Sequence, residues 1–190
     1  MLRVLILAVL AFVTAAAANA ASASWRQDAR PDDVRRLRQL DTAWGESLAA
    51  APRAELRKLG RVLDPKPGLA RPQPTPGAYQ CRTIKLGPGM GVLPYGWFRC
   101  RVELTPGGDL ILEKTTGSQR PFGHLYPDSR HRLVFLGAVA WGSTEGRAVY
   151  GVDPQRDQIG AFERIGANHY RLVLPYPRVE STLDVIELRR

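Results

Sequence analysis

The chain has 190 residues, of which 44% are hydrophobic and 24% charged, with a formal net charge of +9 and two cysteines. A chain of this length can bury about 70% of its unfolded surface in one core, so a single domain is expected. The basic excess is spread along the chain, with no run of five or six like charges, and this argues against a nucleic-acid partner.

Met1, Leu2 and Arg3 make a short basic start, residues 4–13 are unbroken apolar, and Ala18, Asn19 and Ala20 supply the small-x-small pattern of a signal peptidase site. Residues 1–20 are therefore expected to be a signal peptide. Ala21, Ser22 and Ala23 repeat the pattern three residues later, so the cut is defined to within that distance. A membrane anchor needs roughly 20 apolar residues, and the strongly apolar stretch here is about half of that, so no integral span is expected after cleavage. A periplasmic or secreted protein is the expectation.

Residues 21–63 read as a helical cover. Asp32 and Asp33 are placed to cap a helix, and Val34, Leu37, Leu40, Trp44 and Leu48 recur at spacings of three or four, which puts one apolar stripe along it. The helix should end near Ala51, with Pro52 opening a second whose apolar face is Leu56, Leu59 and Leu63. Residues 64–77 then carry five prolines and two glycines, which favours an extended linker over a helix or sheet ladder.

In residues 78–190 the apolar period switches to two. Phe98, Cys100, Val102 and Leu104 share one strand face, and Pro106, Gly107, Gly108 and Asp109 turn the chain into a strand over 110–114. Further strands are expected over 79–86, 122–126, 131–138, 146–151, 158–165, 169–174 and 182–188, with turns at Pro127, Asp128, Ser129 and at Asp153, Pro154. The fold expected is mainly β (α+β): an eight- or nine-stranded antiparallel meander closing into a lipocalin-like barrel, with the N-terminal helices packed outside. Residues 133–136 and 172–174 are apolar at every position, so those strands need an outer partner, and Leu37, Leu40 and Trp44 are the side chains available. In an oxidising compartment Cys81 and Cys100 should pair, closing a loop of about twenty residues. Their spacing, with no histidine nearby, matches no zinc pattern.

Tyr79, Cys81, Arg82 with Lys85, Leu86, Gly87, then Gly117, Ser118, Gln119, Arg120, then Leu125, Tyr126, Asp128, then Tyr150, Gly151, Asp153, and finally Arg171, Leu172, Val173, Pro175, Pro177, Glu180, Ser181, Leu183 and Asp184 resemble a family of exported proteobacterial proteins known only as a domain of unknown function. The resemblance covers most of the chain after residue 20 and implies export and a shared fold, with no catalytic residue or ligand to carry over. A looser similarity, resting on the cysteine pair and the meander, is to lipocalin-like periplasmic inhibitors of secreted metalloproteases, from which the helical cover departs.

Motifs with chemistry are few. Gly45, Glu46, Ser47 approximates the nucleophile elbow of serine hydrolases, but it lies within a helical period and has Ala49 where the motif needs glycine. His124, His131 and His169 have no metal-ligand spacing. Asp153 and Asp157 suggest half of a calcium loop interrupted by Pro154 and Arg156, while Gly87, Gly89 and Gly91 follow a strand with no helix after them, as a phosphate loop would require. Trp97 and Trp141 read as packing residues or as ligand platforms. The polar stretch Ser118, Gln119, Arg120 joins two strands and could hold a carboxylate or phosphate at a barrel rim. Its alternative role is to satisfy loop carbonyls. No enzyme, cofactor or metal is expected from these residues. A non-enzymatic binding or interaction module of the cell envelope is, the alternatives being a carrier of a small apolar ligand or a protease inhibitor, with the envelope or extracellular partner or small ligand unknown.

Overall fold

A computed structural model describes residues 25–190, and the expected signal peptide lies outside the described residues. Nine antiparallel strands carry the fold: β1 (Gly77–Gly87), β2 (Gly91–Pro94), β3 (Phe98–Leu104), β4 (Leu110–Lys114), β5 (Gln119–Ser129), β6 (Arg132–Trp141), β7 (Asp157–Gly166), β8 (His169–Pro175) and β9 (Leu183–Arg189). β1 pairs with β3 through Gly77 to Cys81 and with β9 through Gln80 to Leu86, so β1 and β3 to β9 close into an eight-stranded barrel. β2 is the extra strand, folded back on the C-terminal end of β1 through a turn in which Gly89 (φ +77°) and Gly91 (φ +69°) take the left-handed backbone that glycine tolerates.

The count of nine strands agrees with the sequence pattern, but one member differs. Residues 146–151 form no strand. Their place is taken by β2, whose four residues are too few for a period to show. β5 also runs through Pro127 to Ser129, where a turn is expected, with Asp128 as the extra residue of a bulge, and the chain reverses between Ser129 and Arg132.

Among the described residues a helical turn at 25–28 is followed by α1 (Pro31–Arg38), α2 (Leu40–Ala49), α3 (Arg53–Leu59) and a 3₁₀ turn at Gly60–Leu63, all before the barrel. The single helix expected from Asp32 onward is broken at Gln39 (φ −90°, ψ 11°). The break redirects the apolar stripe onto two patches of the barrel wall. Leu37 joins Trp25, Val134, Leu136 and Ile159, whereas Ala43 and Trp44 join Val62, Ile84, Val173 and Val185. Asp32 and Asp33 do not cap: Pro31 takes the first helical position behind Arg30, and the Asp33 carboxylate instead accepts bonds from Arg36 (2.6 Å) and the Tyr150 hydroxyl (2.5 Å).

Polar contacts fasten the cover. Arg171, on the outer face of β8 and only 1% exposed, pairs with Glu163 of β7 and donates to the carbonyls of Val62, Asp64 and Lys66. Arg164 holds the Ala70 and Arg71 carbonyls, and Leu69 makes a β-bridge to Arg164. The proline-rich residues 64–77 are thus strapped to the sheet. The lumen itself holds the main core, built on Tyr79, Leu112, Phe135, Phe162, Tyr170, Leu172 and Leu188. Cys81 and Cys100 are bonded across β1 and β3 within it (Cα–Cα 5.7 Å).

Candidate functional site

The inward-facing lane of each strand changes character along the barrel. At one end Phe162 and Tyr170 stack with ring centres 5.5 Å apart, Tyr79 meets Tyr170 edge-on at 6.0 Å, and the Tyr79 hydroxyl donates to the Thr75 carbonyl. This end is filled. Beyond the disulfide the same lanes turn polar: Lys85 follows Cys81 on β1, Lys114 follows Leu112 on β4, Gln158 precedes Phe162 on β7, and Asp184 precedes Ile186 on β9. All four side chains are buried. They surround the open mouth of the barrel, where a slot of about 40 Å³ along Pro121, Val139, Trp141 and Gln158 adjoins a cleft of about 230 Å³ along Phe98, Lys114, Ser118 and Glu180. Thr83, Lys85 and Gln119 line both.

Local sequence builds this mouth. Lys114 ends β4, and the turn to Gln119 crosses close over it because Gly117 (φ +93°) has no side chain; a Cβ there would lie 2.8 Å from Lys114 Nζ and 3.0 Å from the Phe98 ring. Lys114 Nζ donates to the Gln119 carbonyl at 2.8 Å and stands over the Phe98 ring at 4.1 Å. Among the described residues it has no carboxylate partner. Burial and then the nearby Arg120 guanidinium lower its pKa to about 8. Lys85 is the opposite case. Burial alone would lower it, but Asp184 (3.7 Å) and Glu180 (2.9 Å) together hold it above the usual lysine value. Burial raises the Asp184 carboxyl, against the pull of Lys85 and of the Ser181 hydroxyl, which donates to it at 2.5 Å. Gln158 Oε1 is buried with no hydrogen-bond partner.

Of the three residues singled out from sequence, Ser118 and Gln119 line the mouth. Arg120 is turned to its own loops, donating to the carbonyls of Gly117, Gly142 and Glu145. Sequence reasoning missed Lys85, Lys114, Gln158 and Asp184. Their signal was phase: each charged or amide residue shares its strand's inward lane with core residues such as Cys81, Leu112, Phe162 and Ile186.

The remaining candidates stay apart. Ser47 is buried inside α2, His131 Nδ1 donates to the Gly68 carbonyl (3.0 Å), His169 pairs with Glu187 (2.8 Å), and His124 lies against Tyr126. Asp153 and Asp157 serve local turns, accepting the amides of Gln155 and Gly151. Gly87, Gly89 and Gly91 shape the β1–β2 turn. Trp97 sits on the outside between Arg82 and Arg189, while Trp141 lines the slot. Among the described residues no three His, Cys, Asp or Glu side chains come together as a metal site, and no helix is long and apolar enough to cross a membrane.

The class these features define is a closed antiparallel β-barrel, helix-covered on part of its wall, with one filled end and one polar mouth. Residues 25–188 match the family described as Domain of unknown function (DUF4893), and the chain belongs to that family. No curated protein and no solved structure matches it.

Proposed function

We propose that the protein is an exported, non-enzymatic binding module whose ligand enters the polar mouth of the barrel. One observation carries this reading: Lys114 and Gln158, both buried at the mouth, hold polar atoms that the fold itself leaves without full partners, and natural cores rarely leave such groups unanswered. The filled apolar end and the charged lining weigh against a carrier of an apolar molecule. A protease inhibitor would need a free segment to enter a cleft, whereas the described N-terminal end is docked, with the Trp25 indole donating to Asp128 at 3.2 Å. Export rests on the signal-peptide pattern of residues 1–20 and on the disulfide, which persists in oxidising compartments. A fragment screen by NMR on the oxidised chain should concentrate amide shifts at Thr83, Gln119, Trp141 and Gln158. Shifts confined to the outer wall, or none at the mouth, would overturn the site. Amino-terminal sequencing from an envelope fraction should begin near Ala21, and an intact Met1 would refute export with cleavage.

A further inference from the structure

Charge is unevenly matched at the mouth. Lys85 faces two carboxylates, Glu180 and Asp184, so its ammonium is answered within the chain. Lys114 is as deeply buried, yet its ammonium meets the Gln119 carbonyl and the Phe98 ring and no carboxylate among the described residues. Burying an ammonium without a counter-charge is costly, and an apolar side chain of similar length would avoid the cost. Lys114 lines a cleft open to solvent, together with Ser118. Independently, the buried Gln158 amide presents an unpaired oxygen to the adjoining slot, whose other walls are Pro121, Val139 and Trp141. A glutamine amide can meet either a donor or an acceptor on a ligand.

We propose that the mouth binds a small monocarboxylate, its carboxylate on Lys114 beside Ser118 and its apolar body in the slot against Val139 and Trp141. Local charge favours a monoanion: Lys114 has no carboxylate partner and the Arg120 guanidinium stands near it, while Glu180 and Asp184 would repel the surplus charge of a dianion such as phosphate. The inference rests on the mouth being the binding face, and it adds the chemistry of the ligand.

The test is an NMR titration of the oxidised chain with sodium benzoate, with benzamide as its uncharged counterpart, and with inorganic phosphate. Benzoate should shift the Gln119 and Trp141 amides saturably, with benzamide at least tenfold weaker and phosphate weaker than benzoate. Lys114→Met should cost at least tenfold in benzoate affinity, Lys114→Arg less, and Arg101→Met, at an exposed outer-wall cation, under twofold. Benzamide binding as tightly as benzoate, tighter binding of phosphate, or Lys114→Met binding like the parent would overturn the proposal. So would equal losses in Lys114→Met and Arg101→Met, which would mean attraction to diffuse positive charge. Absence of benzoate shifts also overturns it, whereas the mouth as binding face is decided separately by the fragment screen, in which neutral or cationic hits at the mouth would keep that face and discard the carboxylate.

Discussion

The two ends of the barrel lumen are built by the same strands and obey different rules. Below the disulfide the inward residues build an apolar and aromatic core, in which Phe162, Tyr170 and Tyr79 pack ring on ring. Above it the inward positions hold two lysines, a glutamine and an aspartate that burial makes expensive. Stability therefore belongs to the closed end. The mouth gives some of it up, which is what a site kept for a visitor looks like.

The strongest way to break this comparison is to damage the closed end. Phe162→Ala should cost about 3 to 5 kcal/mol, the range for deleting a large buried aromatic, read from the denaturation midpoint. A loss under about 1 kcal/mol would mean that the end is loosely packed. In the outer cover, Trp44→Ala should cost a similar amount, roughly 3 to 5 kcal/mol, because its ring is buried against the barrel wall and meets the Arg171 guanidinium (5.3 Å). The barrel signal should fall in the same single transition. An unchanged curve would make the helices an independent unit.

Reduction of Cys81–Cys100, which marks the boundary between the two ends, should cost about 3 kcal/mol for its loop. Thermal melting with and without reductant measures it, and an unshifted midpoint would remove the bridge from the balance.

Lys114→Met should do the reverse of the core substitutions and leave the fold as stable or about 1 kcal/mol more stable at pH 7. The pH dependence sharpens this. The folded-state value of about 8 lies below the ordinary lysine value of 10.5, so between those values the unfolded chain binds the extra proton. The penalty is full below pH 8 and fades as pH rises toward 10. The parent should thus gain stability relative to Lys114→Met between pH 7 and 9.5, by on the order of 1 kcal/mol or more. Parallel curves would show that Lys114 is not held in a desolvated site. The smallest effect is expected far from both ends: Val152→Ser, at a side chain 77% exposed, should change stability by less than about 0.5 kcal/mol.

Much of the architecture was legible in the sequence. Alternation at Phe98, Cys100 and Val102 defined β3 and its inward face, with Leu104 exposed at the strand's end, and doubly apolar runs in β6 and β8 required the outer cover that Leu37 and Trp44 provide. Misreadings fell where local pattern is weakest. β2 is four residues long, the helix break at Gln39 leaves the 3.6-residue period almost intact, and residues 146–151 alternate by chance while serving as a loop pinned by Arg120 and by the Tyr150–Asp33 bond.

Sequence alone determined what depends on neighbours along the chain: which residues alternate, where prolines exclude a ladder, and that two cysteines were available to pair. Only the tertiary structure decided what those lanes become when β1 meets β9. Barrel closure converts alternate positions on eight strands into a single enclosed lumen, and Lys85, Lys114, Gln158 and Asp184, from four distant strands, then share one mouth. No spacing encodes that meeting, because the contacts that make it are set by sheet register across the closed barrel.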